Sequence, residues 1–290
     1  MANVAILGTG KMGSAMAREL ATAGHTIWLW NRTKEKADKV ASDIASSFVI
    51  VASDVVDAIA HSEIVISIFA DGKITQEVLL SDSILLDSAN PDTIFVDMGT
   101  SGFETAKILS ESFSKAGLAF VDAPVSGSMA TIASHQLLVM ASGNADAIDR
   151  IRPVLLAFSK KVANLGAAGN GQAMKLAVNL IVHSLNAAIA EGLALATAAG
   201  IDPSAAYDIF DESVVAAPFV KYKRAAFLDS SSPIAMRMDT VVKDLGLIRA
   251  LGRAKGVRLE ATWTVENLYR QACAAGFASE DMASLVRFLQ

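Results

Sequence analysis

The strongest constraint on this chain lies at its start. There the apolar run Val4-Ala5-Ile6-Leu7 passes straight into Gly8-Thr9-Gly10-Lys11-Met12-Gly13. A short apolar run closed by glycine reads as a buried strand. The G-x-G-x-x-G spacing after it then opens a helix. Gly8 permits a tight turn, Gly10 lets backbone approach a pyrophosphate, and Gly13 lets helix and strand pack closely. The first turn of such a helix presents N–H groups to an anion. An ordinary glycine turn would share the spacing, but the strand–turn–helix context favours a dinucleotide-binding loop.

The same alternation continues. Apolar runs recur at 27–30, 64–68, 93–97 and 118–121, with helical patterns over 12–23, 34–46, 74–80 and 103–116. Strands that are apolar on both faces and separated by helices predict a parallel sheet covered on both sides. The expected fold is therefore α/β, a Rossmann-type doubly wound, mostly parallel sheet. Further strands are expected at 137–141 and 162–165, with a helix over 145–158. After Leu165 the pattern is helical throughout. One long helix is expected over 172–199, about 40 Å at 1.5 Å per residue, stopped by Gly200 with Pro203 beyond. Later helices are expected over 203–211, 235–255, 259–275 and 282–289. The predicted organisation is a cofactor-binding domain over 1–165 and an all-α domain over 166–290, joined by the long helix.

Composition narrows the function. With 290 residues, 52% hydrophobic and 19% charged, the chain can bury a core and is not of disordered type. Its net charge of -5 and 6% aromatic content argue against a nucleic-acid partner. Cys273 alone cannot form an intrachain disulfide, and four scattered histidines make no metal-ligand set. The start, MANVAILG, lacks the pattern of an export leader. The most apolar stretch, 176–199, contains Asn179, His183, Asn186 and Glu191. It reads as a helix buried in protein and not a membrane span. A cytoplasmic protein without a membrane partner is expected.

Three clusters carry candidate chemistry. After the second strand stand Asn31, Arg32 and Thr33, where an NAD enzyme would place an acid for the ribose hydroxyls. Asn31 would not repel a 2′-phosphate, Arg32 offers it a cationic fork, and Thr33 a hydroxyl. Lys36 stands close by in sequence. The expectation is NADP(H) rather than NAD, although Thr33 also reads as a helix N-cap. After the fifth strand of the pattern comes Asp122-Ala123-Pro124-Val125-Ser126-Gly127-Ser128. Its hydroxyls and backbone N–H groups could hold a carboxylate, or form only a surface turn. Last, a glycine-rich segment leads into Lys175 and Asn179, four residues apart on one helical face. A lysine among apolar residues suits proton transfer when desolvation lowers its pKa. It could equally snorkel, with Asn179 a satisfied core amide.

These segments (GTGKMGSAMA, GHTIWLWNRT, DAPVSGS, GAAGNGQAMKLAVN and Lys243-Asp244-Leu245) resemble, in order and nearly end to end, the β-hydroxyacid dehydrogenase family. That family includes 3-hydroxyisobutyrate dehydrogenases and tartronate semialdehyde reductases. Ser-Gly-Ser and Asn-Arg-Thr are most similar to its glyoxylate/succinic semialdehyde reductase branch. The resemblance implies NADPH-dependent reduction of a small carboxylate-bearing carbonyl compound. It makes Lys175 the catalytic acid/base and Asn179 the residue orienting substrate. Ser126, Gly127 and Ser128 would bind the substrate carboxylate, with Asp244 near the substrate. Thr100 would lie near the nicotinamide and Lys243 would contact the cofactor; Phe69 is counted with the cofactor residues. A homodimer or homotetramer is also implied. Departures from the family pattern are Gly99 for serine, Ser101-Gly102, His135 for glycine, and no aromatic residue at Val220. Alternatives are an imine reductase-like enzyme, which would usually lack Lys175, and a non-catalytic NADP-binding scaffold. A 6-phosphogluconate dehydrogenase would need a longer helical domain. By the blander readings His25 is a turn residue, His61 lies at the surface and His183 is a packed helix histidine. Lys221-Tyr222-Lys223-Arg224 reads as a solvated helix face or a subunit-contact strip, and the methionines mostly as core filler.

Overall fold

The computed structural model describes residues 1–80 and 83–290. They divide into two compact units, Met1–Lys175 and Leu176–Gln290. The division falls inside the long helix, downstream of the 165/166 boundary expected from the sequence.

The first unit runs β1 (Asn3–Leu7), α1 (Lys11–Thr22), β2 (Thr26–Trp30), α2 (Lys34–Ile44), β3 (Val49–Val51), α3 (Val55–Ala60) and β4 (Ile64–Ser67). It continues with α4 (Gly72–Leu80), α5 (Ser83–Asp87), β5 (Ile94–Asp97), α6 (Phe103–Lys115), β6 (Ala119–Asp122), β7 (Val125–Ser126), α7 (Met129–Ala133), β8 (Leu137–Gly143), α8 (Ala145–Leu155) and β9 (Ser159–Asn164). Among the described residues the strands form one sheet in the order β3-β2-β1-β4-β5-β6-β8-β7, with β9 on β8. The pairs from β3 through β6 are parallel; β6–β8 and β7–β8 are antiparallel. Alternation along β1 explains its uninterrupted apolar run. Val4 and Ile6 enter one core with Ile27 and Ile66, while Ala5 and Leu7 enter the other with Val65 and Phe95. The strand order reverses beside β1, so the crevice at the ends of β1 and β4 is the topological switch point.

The long helix α9 (Asn170–Ala198) leads from the first unit into the second. The second unit adds α10 (Pro203–Glu212), α11 (Pro218–Leu228), α12 (Met238–Ala254), α13 (Glu260–Ala272) and α14 (Leu285–Leu289). Its core gathers Leu176, Ala190, Tyr207, Val241 and Tyr269.

Several expectations change. The segments β3, α3, α5, β7, α7 and α11 are not among the elements expected from the sequence. The helix expected over 259–275 ends at Ala272, and a single wide turn over Cys273–Phe277 follows, with Gly276 at φ 102°. The helix expected to be buried in protein buries only one stripe, through Leu176, Asn179, His183, Asn186 and Ala190. On its other side Ile181 and Leu195 are exposed. Within the expected solvated strip, Lys223 is in fact buried, with Nζ 2.5 Å from Asp281 Oδ1. Burial alone would depress its pKa, and the Asp281 carboxylate opposes that. Val220, where the family pattern has an aromatic residue, is core of the second unit, and its carbonyl accepts from the Tyr207 hydroxyl at 2.8 Å.

Candidate active site

The cofactor side of the site is built in the first unit. Gly8 ends β1 at φ 108°, and a Cβ there would lie 2.5 Å from the Ile68 carbonyl oxygen. A Cβ on Gly13 would lie 2.0 Å from the Gly8 carbonyl oxygen. Only glycine fits either place, so the loop is held flat against the switch point. The Asn31 side chain ties this loop to the next: its Oδ1 accepts from Thr9 N–H at 3.2 Å, and its Nδ2 donates to the Thr33 carbonyl at 2.9 Å. Asn31 therefore shapes the turn that presents Arg32 and Thr33, both exposed. Thr33 stands at the N-cap of α2 without a side-chain capping bond.

A cavity of about 280 Å³ opens between α1 and α2, lined by Gly10, Lys11, Ser14, Arg18, Lys36 and Lys39 among others. Four cations around a glycine loop and a helix N-terminus fit a phosphate-bearing group. Sequence reasoning named Lys11 and Lys36 but missed Arg18 and Lys39. Their signal was helical spacing, Lys11 to Arg18 along α1 and Lys36 to Lys39 along α2.

Phe69 and the 97–102 loop close the other edge. A Cβ on Gly8 would lie 3.3 Å from Phe69 Cδ1, and one on Gly99 would lie 3.1 Å from the Phe69 carbonyl oxygen. Gly99 thus fits where the two loops approach. Asp97, fully buried at the end of β5, accepts from Ser101 Oγ at 2.6 Å, Ser67 Oγ at 3.1 Å and Gly99 N–H at 3.3 Å. Burial pushes its carboxyl up to about 6 against the pull of these three donors. Gln172 clasps the loop that carries Thr100: its Nε2 donates to the Gly99 carbonyl at 2.8 Å, and its Oε1 accepts from Gly102 N–H at 3.1 Å.

Asp122 heads the second cluster read from the sequence, where it has no assigned role. Its Oδ1 accepts from Ser142 Oγ at 2.6 Å and Gly169 N–H at 2.9 Å, and its Oδ2 from Gln172 N–H at 3.0 Å. Burial raises this carboxyl, and those donors pull it down. A carboxylate at the start of α9 satisfies its orphan N–H groups and meets the positive end of its dipole. It anchors the turn before Lys175, which is half-buried. The only sequence signal was an acid closing an apolar strand.

In the Ser126-Gly127-Ser128 loop, Gly127 takes φ 143°, and a Cβ there would lie 2.2 Å from Thr131 Oγ1. Ser128 N–H donates to Thr131 Oγ1 at 2.7 Å, and the Ser128 carbonyl accepts from it at 2.8 Å. The loop is thus a preformed turn at the head of α7. His135, at φ 57°, explains why glycine is usual there, and its Nε2 lies 3.1 Å from Glu19 Oε2.

In the second unit, Asn179 and Asp244 meet directly: Asn179 Nδ2 donates to Asp244 Oδ2 at 2.7 Å. Lys243 Nζ lies 3.0 Å from Asp244 Oδ1. Burial would raise the Asp244 carboxyl, but the His183 imidazole and the Lys243 ammonium outweigh it and hold it below the usual range. Asn186, on the same stripe, is a core amide donating to the Tyr269 hydroxyl and the Met282 carbonyl.

Comparison with known proteins agrees with this geometry. Residues 3–166 match the family described as the NAD binding domain of 6-phosphogluconate dehydrogenase. Residues 169–289 match the family described as NAD-binding of NADP-dependent 3-hydroxyisobutyrate dehydrogenase. Glyoxylate/succinic semialdehyde reductase 1 of Arabidopsis thaliana is 29% identical over 283 residues, 98% of this chain and 96% of its own. The chloroplastic glyoxylate/succinic semialdehyde reductase 2 of the same plant is 27% identical over 288 residues, 99% of this chain and 79% of its own. The solved structure of a Mycobacterium tuberculosis 3-hydroxyisobutyrate dehydrogenase with L-serine superposes with TM-score 0.86 at 26% identity, covering 100% of this chain and 99% of that one. The glycine loop, the strand order and the matches across both units converge: the chain belongs to the β-hydroxyacid dehydrogenase family and is an NAD(P)-dependent oxidoreductase of the hydroxyacid dehydrogenase type.

Proposed function

We propose that this enzyme reduces a small aldehyde or keto acid of the glyoxylate or succinic semialdehyde kind to the hydroxy acid, with NADPH. The observation that carries this reading is the placement of Lys175 and Asn179 one turn apart on α9, whose first turn is anchored by Asp122. When bound, the nicotinamide supplies a hydride to the carbonyl carbon. Lys175, as an ammonium, stabilises the negative charge that grows on the carbonyl oxygen and gives it a proton. In the oxidative direction the neutral amine takes that proton back. Asn179 orients the substrate, and Asp244 lies beside it. The hydroxyls and N–H groups of Ser126, Gly127 and Ser128 hold the substrate carboxylate.

Gly8, Thr9, Gly10, Lys11, Met12 and Gly13 hold the pyrophosphate. Phe69, Thr100 and Lys243 contact the rest of the cofactor. Preference for NADPH rests on Arg32 and Thr33, with Asn31 in place of an acid that would repel a 2′-phosphate. An imine reductase-like activity is disfavoured by the presence of Lys175.

The test is NADPH oxidation against glyoxylate, succinic semialdehyde, tartronate semialdehyde, methylmalonate semialdehyde and a cyclic imine, with NADH alongside. Turnover of one or more of the carbonyl acids with NADPH is expected. Turnover of the imine alone, or a strong NADH preference, would overturn the substrate or the cofactor assignment respectively.

A further inference from the structure

We propose that His183 is a positioning residue for Asp244, replacing Asn179 as its donor when the Asn179 carboxamide turns to the substrate. The inference rests on the reading of Asn179 and Asp244 given under the proposed function. Asn179 and His183 lie one turn apart on the buried stripe of α9, and both face the Asp244 carboxylate of α12. Asp244 Oδ2 accepts from Asn179 at 2.7 Å, while His183 Nε2 stands 3.7 Å from the same oxygen. That distance is too long for a hydrogen bond, yet a movement of about 1 Å closes it.

Neither ring nitrogen of His183 has a hydrogen-bond partner, although the residue is completely buried. A buried polar ring without a partner is costly, and an apolar residue would pack there without the penalty. The penalty is offset if the ring gains its bond in another state of the site. Asn179 has the converse difficulty. Its amide is committed to Asp244, so turning towards substrate strips a donor from a carboxylate that is 1% exposed. Breaking a buried charge contact without replacement is strongly unfavourable. An imidazole carrying its hydrogen on Nε2 supplies the replacement from the same helix. Lys243 Nζ, 3.0 Å from Oδ1, holds the other end of the carboxylate during the exchange. His183 thus lowers the cost of releasing Asn179 without touching the substrate itself.

The test is steady-state kinetics of wild type, His183→Ala and His183→Gln with the best carbonyl acid of the wild-type enzyme. NADPH affinity by fluorescence and thermal melting are measured alongside. His183→Ala is expected to raise the substrate KM about tenfold, with kcat within about twofold and NADPH affinity unchanged. His183→Gln, whose amide can donate, is expected to recover most of that loss. Should the alanine variant fail to fold, His183→Leu fills the space without a donor and takes its place in the comparison. A donorless variant with wild-type KM, or a glutamine variant no better than the donorless one, overturns the inference alone. A wild-type enzyme that turns over no carbonyl acid overturns the functional reading and this inference with it.

Discussion

Lys175 and Arg32 test different halves of the chemistry. Replacing Lys175 by Met removes the proposed proton donor while keeping a long side chain on α9. The expected result is a fall in kcat of about 10²–10⁴-fold with NADPH affinity unchanged, checked by steady-state rates and cofactor fluorescence. Replacing Arg32 by Ala removes a cation from the exposed turn after β2. Loss of one charge-assisted contact should weaken NADPH binding by about 10–100-fold and leave NADH binding nearly unchanged. The ratio of the two dissociation constants is the measurement. Both residues were singled out by their neighbours in sequence, a strand end for Arg32 and a glycine-rich helix start for Lys175, and the structure leaves Arg32 exposed after β2 and Lys175 half-buried near the start of α9. Lys223 was not legible. Its burial depends on Asp281, 58 positions along the chain, and nothing in Lys221-Tyr222-Lys223-Arg224 marks it out. Asp122 was hidden for the same reason, since its donors Ser142, Gly169 and Gln172 stand 20, 47 and 50 positions further along. Asp97 draws on Gly99 and Ser101 close by, but its burial and its bond from Ser67, 30 positions away, could not be read locally.

Elements with a strong pattern were legible and weak ones were not. The central strands could be read because both faces are buried, so their apolar runs are unbroken. β3 is the exception: the apolar run 48–52 was there to read, yet only three of its residues form the strand, which among the described residues pairs with β2 at one edge of the sheet and leaves Ile50 exposed. α11 was obscured by Lys221 to Arg224 and by Pro218, which fits a first helical turn as well as a loop. The start of α9 is where an element and the proposed chemistry meet. Asp122→Ala would leave the Gly169 and Gln172 N–H groups and the Ser142 hydroxyl without their buried acceptor. A loss of about 2 kcal/mol or more is expected in urea denaturation. kcat should fall with it, because the same turn carries Lys175. Wild-type stability in that variant would show that the helix start is held by other contacts.

For the whole molecule the net charge of -5 is a poor guide, since an acidic chain gathers Lys11, Arg18, Lys36 and Lys39 around one cavity. Stability depends similarly on where particular charges lie. Asp97 is completely buried among three donors, and burial still pushes its carboxyl from 3.8 up to about 6. Between those values the folded chain holds a proton that the unfolded chain has released. Unfolding therefore releases a proton, and stability conferred by Asp97 falls as pH rises from about 4 to about 6, then stays level. The full change is on the order of 3 kcal/mol. Asp97→Asn keeps the size of the side chain but cannot titrate. Other carboxylates give both proteins a common pH dependence, so the quantity to measure is the wild-type minus variant difference in unfolding free energy. That difference should decrease from pH 4 to pH 6.5 and be constant above it. A difference independent of pH would mean that the three donors keep Asp97 ionised in the fold, and that its burial is fully compensated.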